Sequence, residues 1–147
     1  MRAFASAVAL LVLLSSASIA GPKEEALQVL EKWAKAFTES DVDGIVKLHA
    51  PDALFMGTAS KSVVTQTAGV RAYFENALLN NRPRSAKLTD FRMFELSDAA
   101  VAVSGLDLLT GVRDGTTVSA TGRVTFVIAK RGVDWQIVQF HRSPVPN

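Results

Sequence analysis

The sequence predicts an α+β domain in which N-terminal helices are wrapped by a strongly curved, mostly antiparallel β-sheet. Three observations predict this class. An amphipathic helical pattern follows residue 21, two shorter helical segments lie before Pro83, and long β-rich runs separated by turn residues fill the remainder of the chain. Helices first and a meander of strands afterwards are typical of a bent sheet packed around a long helix.

The strongest helical pattern runs from Pro22 to about Glu39. Its apolar residues recur at intervals of three and four, as expected for one buried helix face: Ala26, Leu27, Leu30, Trp33, Ala34 and Phe37. Pro22 suits the first turn, where a missing N–H costs little. A second, short helix is predicted after Asp41 and a third after Thr67, because both residues can cap a helix N-terminus.

The β-rich runs predict one short strand and four longer ones. The predicted strands are Asp52–Met56, Lys87–Leu96, Val101–Leu109, Thr116–Ala129 and Trp135–Ser143. Turn residues separate the last four, which favours consecutive hairpins. Gly105 and Gly122 lie inside two of these strands, where we expect bulges or bends that let the sheet curl.

The N-terminal residues predict export. Met1–Ala20 contains one early cation, Arg2, then an apolar run, then small residues that end at Ala20. This order is typical of a secretory signal peptide cleaved after Ala20, and the alternative is an uncleaved membrane anchor. The predicted mature chain, residues 21–147, has the size of a single domain. We expect a periplasmic or secreted protein that has no membrane contact after cleavage.

Composition excludes several classes of function. The chain has no cysteine, so disulfides and thiol catalysis are excluded. Its formal net charge is +2, and the basic residues are scattered, so nothing favours a nucleic-acid partner. No clustered set of ligands predicts a metal site or a cofactor.

The last strand holds a histidine and an arginine side by side. With side chains alternating, Trp135, Ile137, Gln139 and His141 are expected on one face, and Phe140 and Arg142 on the other. His141 and Arg142 should therefore point in opposite directions.

Three segments carry a family resemblance: residues 51–55 (Pro-Asp-Ala-Leu-Phe), residues 73–76 (Tyr-Phe-Glu-Asn) and residues 135–143 (Trp-Gln-Ile-Val-Gln-Phe-His-Arg-Ser). The chain resembles the nuclear transport factor 2-like, cystatin-like α+β cone. It is most similar to the association (hub) domain of calcium/calmodulin-dependent protein kinase II and to its stand-alone, SnoaL-like bacterial relatives. The resemblance implies a homodimer, or a larger ring, with a pocket between sheet and helices. It implies no kinase activity, because no nucleotide-binding or catalytic-loop motif is present.

The resemblance also implies a basic pocket for small carboxylates. Arg142 matches the pocket arginine of the hub's own His-Arg-Ser segment, and Arg123 matches a second arginine only if a turn is shifted. A third arginine is absent near Val103–Gly105, and Val70 stands where the hub has a pocket histidine. The resemblance therefore implies a less cationic pocket than that of the hub.

Each candidate site residue also has a structural interpretation. Arg142 and Arg123 could form a fork for a carboxylate or phosphate, or could each be paired internally, for example with Glu75, Asp52 or Asp107. Tyr73 could donate to a ligand or be a core tyrosine, and Asp107 could face the cavity or bind an arginine. His141 and Trp135 are expected at a dimer interface on the outer sheet surface. Solvation or helix-dipole compensation is expected for His49, and a turn contact for Asp52.

These observations leave three functional hypotheses. We favour an exported, homodimeric binding domain whose pocket holds a small organic molecule, with carboxylates as candidates, through Arg142, Arg123 and Tyr73. The second is an enzyme of the ketosteroid-isomerase or polyketide-cyclase kind, which would need Tyr73 and an acid such as Asp52 or Asp107. The third is an oligomerisation module without a ligand.

Overall fold

The computed structural model describes residues 20–79, 82 and 84–146. The predicted signal peptide, Met1–Ala20, lies outside the described residues except for Ala20. The elements are α1 (Pro22–Glu39), α2 (Val42–Leu48), β1 (His49–Met56), α3 (Thr67–Leu78), β2 (Ser85–Ser97), β3 (Ala100–Arg113), β4 (Thr116–Arg131) and β5 (Asp134–Pro144). Every predicted helix and strand is present, and the strands are longer than the β-rich runs indicated.

The helix ends follow local chemistry. Pro22 occupies the first turn of α1, and Ser40 ends that helix in a left-handed conformation. The Asp41 carboxylate accepts a hydrogen bond of 2.8 Å from the Gly44 N–H, which confirms it as the cap of α2. The capping role predicted for Thr67 is wrong: α3 begins at Thr67, and the residue before it, Gln66, makes no side-chain capping bond.

The five strands form one mixed, open sheet in the order β1-β5-β4-β3-β2. Neighbouring strands pair antiparallel except β1, which runs parallel to β5. Asp114 and Gly115 both have positive φ values, of 49° and 75°, at the turn between β3 and β4. A turn of this kind joins long strands through two residues. The α+β, cystatin-like prediction is confirmed.

The helices lie against one face of the sheet, which we call the inner face, and this face forms the core. The Trp33 ring of α1 lies 5.4 Å from the Phe126 ring of β4 and 5.8 Å from the Phe140 ring of β5. Phe55 of β1 stacks on Phe140 at 5.0 Å. Burying each such side chain stabilises the fold by roughly 1.5–3 kcal/mol, so these contacts fix α1 on the sheet.

A bulge in β5 overturns part of the alternation predicted for that strand. Ile137 pairs with Ile128 but Gln139 pairs with Val127, which leaves Val138 as the extra residue. Ile137 therefore joins Phe140 in the core, and Trp135 packs against the core as well. Since His141 lies on the opposite, outer face, the prediction that Trp135 and His141 share one face is wrong.

The two strand glycines are not themselves the bulges. The shift in β2 lies between Leu88 and Asp90, opposite this part of β3. A Cβ at Gly105 would collide with the Asp90 carbonyl and with Phe91, so the glycine permits the close approach of β2. Gly122 has a different role, in the site described below.

Candidate functional site

A cavity of about 540 Å³ opens between the helices and the inner face of the sheet. Its wall is aromatic over one part and cationic over another. The aromatic side chains are Trp33, Phe37, Tyr73, Phe74 and Phe140, and the cationic ones are Arg84, Arg113 and Arg142. No aspartate or glutamate belongs to the described lining, so the cavity is suited to an anion with an apolar body.

Arg142 is held at the cavity wall by a buried ion pair with Asp107. The Arg142 Nε donates to Asp107 Oδ2 at 2.8 Å, and the Arg142 Nη2 donates to Asp107 Oδ1 at 2.8 Å. The two side chains are only 8% and 1% exposed. This bidentate geometry is the internal pairing that the sequence left open for both residues, and it satisfies charges that would be costly to bury alone.

Three further features complete the setting of Arg142. Its Nη1 donates to Thr58 Oγ1 at 2.9 Å, and its Nη2 donates to the Ala120 carbonyl at 3.2 Å. A Cβ at residue 122 would overlap the guanidinium group, so Gly122 provides the space in which Arg142 lies flat on β4. Asp107 lies outside the described cavity lining, which places it behind Arg142 and out of reach of a ligand.

The expectation that Arg123 points into the cone is wrong. Arg142 pairs across the ladder with Val124, and Arg123 pairs with Ser143. Because side chains alternate, Val124 faces inward with Arg142, and Arg123 is exposed on the outer face. The signal was present in the sequence, since Arg123 alternates with polar Thr121 and Thr125. The predicted fork of Arg142 and Arg123 therefore does not form.

The other two cavity arginines, Arg84 and Arg113, were not predicted. Arg113 ends β3 on the face of Asp107 and Leu109, so its even spacing from Asp107 along the strand was a usable signal. The Arg84 guanidinium lies 5.1 Å from the centroid of the Phe37 ring, a cation–π contact. Burial lowers the pKa of Arg84, as does the charge of Arg82, while Tyr73 acts in the opposite direction. A nearby anion would relieve the cost of burying this cation.

Tyr73 lies in the cavity wall, the position expected for it. Its ring packs edge-on against Phe55, at 4.8 Å between centroids, and against Phe74, at 5.3 Å. A Cβ at Gly57 would overlap the tyrosine ring, so the glycine after β1 allows Tyr73 to occupy this position. The residue combines core packing with a place beside the cavity.

His49 and Asp52 differ from each other in setting. The solvation expected for His49 is wrong, because the side chain is 6% exposed and lies against Phe55, Phe74 and Phe140. The residue does cap the end of α2, as the helix-end expectation required. Its Nδ1–H donates to the Ile45 carbonyl at 2.9 Å. Burial lowers its pKa to about 4, against the opposing effect of that hydrogen bond. Asp52 is exposed and bonds to Arg131 at 3.3 Å, far from a catalytic setting.

The described residues hold neither a metal-binding cluster nor a membrane-spanning helix. Residues 20–79, 82 and 84–146 contain no group of three or more His, Cys, Asp or Glu side chains that could hold a metal ion. Over the same residues, no helix combines the length and apolarity needed to span a bilayer.

A family model described as a SnoaL-like domain matches residues 26–147. The chain therefore belongs to the SnoaL-like family, and the predicted membership of the nuclear transport factor 2-like superfamily is confirmed. No curated protein sequence matches the chain.

Solved structures share the fold at low sequence identity. A Xanthomonas campestris protein provisionally named as a calcium/calmodulin-dependent protein kinase II association domain is 24% identical, with a TM-score of 0.78 over 88% of this chain and 94% of that one. A nuclear transport factor 2-like protein with a cystatin-like fold from Novosphingobium aromaticivorans is 12% identical, with a TM-score of 0.72 over 85% and 82% of the two chains. A provisionally named scytalone dehydratase from the same organism is 10% identical, with a TM-score of 0.76 over 84% of each chain. At these identities the likeness concerns the fold alone.

Proposed function

We propose that this protein binds a small organic anion, such as a carboxylate, in the cavity between α1, α3 and the inner face of the sheet. Family membership indicates a small-molecule-binding or isomerase-like role. The observation that carries the choice is the cavity wall, where three arginines stand beside five aromatic side chains and the described lining has no acid.

The arginines contribute unequally to this proposal. Asp107 compensates the charge of Arg142 through two close oxygen contacts, so Arg142 offers a fixed N–H edge and little net charge. Arg84 and Arg113 bring two further guanidinium groups to the same wall. Arg84 is also positioned by its contact with Phe37, which places a cation next to the apolar wall.

The test is calorimetric titration with phenylacetate and with its uncharged analogue phenylacetamide. We expect phenylacetate to bind more tightly, and Arg113→Gln to weaken it by about 10-fold or more, as loss of a charge-assisted hydrogen bond does. Arg123→Gln is the matched control, since it removes the same charge from the outer face. Equal affinity for acid and amide, or equal losses in the two variants, would refute the proposal.

The proton-transfer alternative has less support. A ketosteroid-isomerase-like base needs a carboxylate in reach of the substrate and of Tyr73. The described cavity lining has no carboxylate, and the nearest buried acid, Asp107, is bonded to Arg142. Asp52, the other acid considered, pairs with Arg131 on the surface.

We also propose that the outer sheet face joins two copies of the chain. Phe94, Ala102 and Val127 form an apolar row across three strands of this face, and Phe94 is 69% exposed. His141 lies on the same face, paired with Thr125. Sedimentation is expected to give a dimer that Phe94→Asp dissociates and the control Leu79→Asp does not. A monomeric wild type, or a larger ring, would contradict this arrangement.

Export is the third part of the proposal, and it rests on the signal-peptide pattern of Met1–Ala20. N-terminal sequencing of protein recovered from the periplasm or the medium is expected to begin at Gly21. Recovery of an intact N-terminus from the membrane fraction would instead favour an uncleaved anchor.

A further inference from the structure

The aromatic cavity continues into a second hollow on the inner face of the β3–β4 hairpin. This hollow, which we call the hairpin groove, has a volume of about 330 Å³. Both hollows are lined by Arg84, Leu109 and Arg113. Since the same two arginines border both spaces, a bound anion would stand at the junction rather than at the end of a single pocket.

The hairpin groove differs in chemistry from the cavity. None of its lining side chains is aromatic; its own lining consists of Thr110, Gly111, Val118, Ser119 and Ala120. Thr110 and Ser119 pair with each other and alternate with the inner-face residues, so their hydroxyl groups point away from the groove. Apart from the two arginines, the groove side chains are apolar, and such a surface suits a slender aliphatic group, whereas the cavity suits an aromatic one.

Strand register explains why both arginines face this junction. Ser85 pairs with Thr110, so Arg84 comes opposite Gly111 when the ladder is continued by one residue. Arg113 lies two positions beyond Gly111 on the same strand and therefore on the same face. Gly111 has no side chain, so it leaves the sheet face open beside both arginine positions.

We propose that the ligand is a carboxylate with two arms, of the class of N-acyl amino acids. The apolar acyl group would occupy the aromatic cavity, the carboxylate would bind Arg84 and Arg113, and the amino-acid side chain would lie in the hairpin groove. The two hollows, of about 540 and 330 Å³, fall in the size range of pockets for ligands larger than a simple aromatic acid. This inference rests on the proposed function and specifies its ligand class.

A matched pair of ligands tests the second arm. N-phenylacetylglycine has the acyl group and the carboxylate, and N-phenylacetyl-L-leucine adds an aliphatic side chain. We expect the leucine conjugate to bind the wild type at least 10-fold more tightly by calorimetry. Val118→Trp fills the groove from a side chain that is 39% exposed, and should reduce this preference to within twofold while leaving the glycine conjugate unchanged.

Two further variants serve as a control for Val118→Trp and as its replacement. Val133→Trp, at a position 89% exposed and outside the groove lining, is the matched control and should leave both affinities unchanged. Ala120→Leu narrows the groove from the neighbouring position and replaces Val118→Trp if that variant does not fold. The two-arm inference alone is overturned if both conjugates bind with equal affinity and this binding depends on Arg113. It is also overturned if the groove variants keep the preference for the conjugate with a side chain. If no acid binds, or binding ignores Arg113→Gln, the proposed function fails with it.

Discussion

The two faces of the sheet carry the same kinds of residue in opposite physical states. On the inner face, Arg142 is buried and makes hydrogen bonds to Asp107, Thr58 and the Ala120 carbonyl. On the outer face, Arg123 is exposed on the neighbouring strand, one step out of register. Side chains alternate between the two faces of a strand. A shift of one position therefore determines whether a strand arginine lines the site or lies on the surface, and the residue type alone does not determine this.

The largest difference between the faces is expected in the free energy of unfolding when a paired carboxylate is replaced on each of them. Asp107→Asn leaves the buried Arg142 charge without its partner, which should lower the free energy of unfolding by about 3–5 kcal/mol. The outer-face pair of Asp90 and Arg92 has a contact of 2.7 Å, against 2.8 Å for the buried pair, but both of its side chains are exposed. Asp90→Asn should therefore cost no more than about 1 kcal/mol. Urea unfolding of both variants measures the difference, and equal losses would remove the distinction between the faces.

Burial of His49 should make the stability of the fold sensitive to acid. His49 has a pKa of about 4 when folded and 6.5 as its ordinary value. Above pH 6.5 neither state binds the proton, so His49 has no effect there. Below pH 6.5 the His49 ring binds a proton in the unfolded chain but stays unprotonated in the folded protein. The free energy of unfolding therefore falls by up to about 3 kcal/mol as the pH approaches 4.

This acid sensitivity is measured by urea unfolding at a series of pH values between 7 and 4. His49→Asn keeps a donor for the Ile45 carbonyl and should flatten this part of the pH profile. Gln139→Asn, on the outer face of β5, is the control and should leave the slope of the wild type in place. An unchanged slope in His49→Asn would show that other groups cause the acid sensitivity.

The absence of a side chain at one β4 position should stabilise the fold only on the inner face, where that position adjoins Arg142. Gly122→Ala places a Cβ against the Arg142 guanidinium, and overpacking of this kind costs about 1–3 kcal/mol. Thr121→Ala, one residue earlier on β4 and facing outward, is the matched variant with an expected change of less than about 0.5 kcal/mol. A crystal structure of Gly122→Ala in which Arg142 keeps all its bonds would contradict the role assigned to the glycine.

The helices and strands could be predicted from the sequence, but the register between strands, and so the face on which some side chains lie, could not. Helix α1 was predictable from Pro22 to Glu39 because its periodicity and its start are local properties. The bulge at Val138 was not, because it is defined by pairing between β4 and β5, and it moved Trp135 to the other face. Arg142 was found through its motif. Arg84 and Arg113 were missed because their shared position depends on the register of β2 against β3.

Arg123 gives the smallest expected effect and the sharpest test of the comparison. Arg123→Ala removes an exposed side chain with no ion pair among the described residues, so stability should change by less than about 0.5 kcal/mol. Phenylacetate affinity should stay within twofold of the wild type, because the charge lies on the far side of the sheet from the cavity. Arg142→Ala, by contrast, leaves Asp107 buried without a cation and should destabilise strongly. Calorimetric titration and urea unfolding of both variants measure this; a loss of ligand binding in Arg123→Ala would mean that the alternation of β4 does not separate the faces.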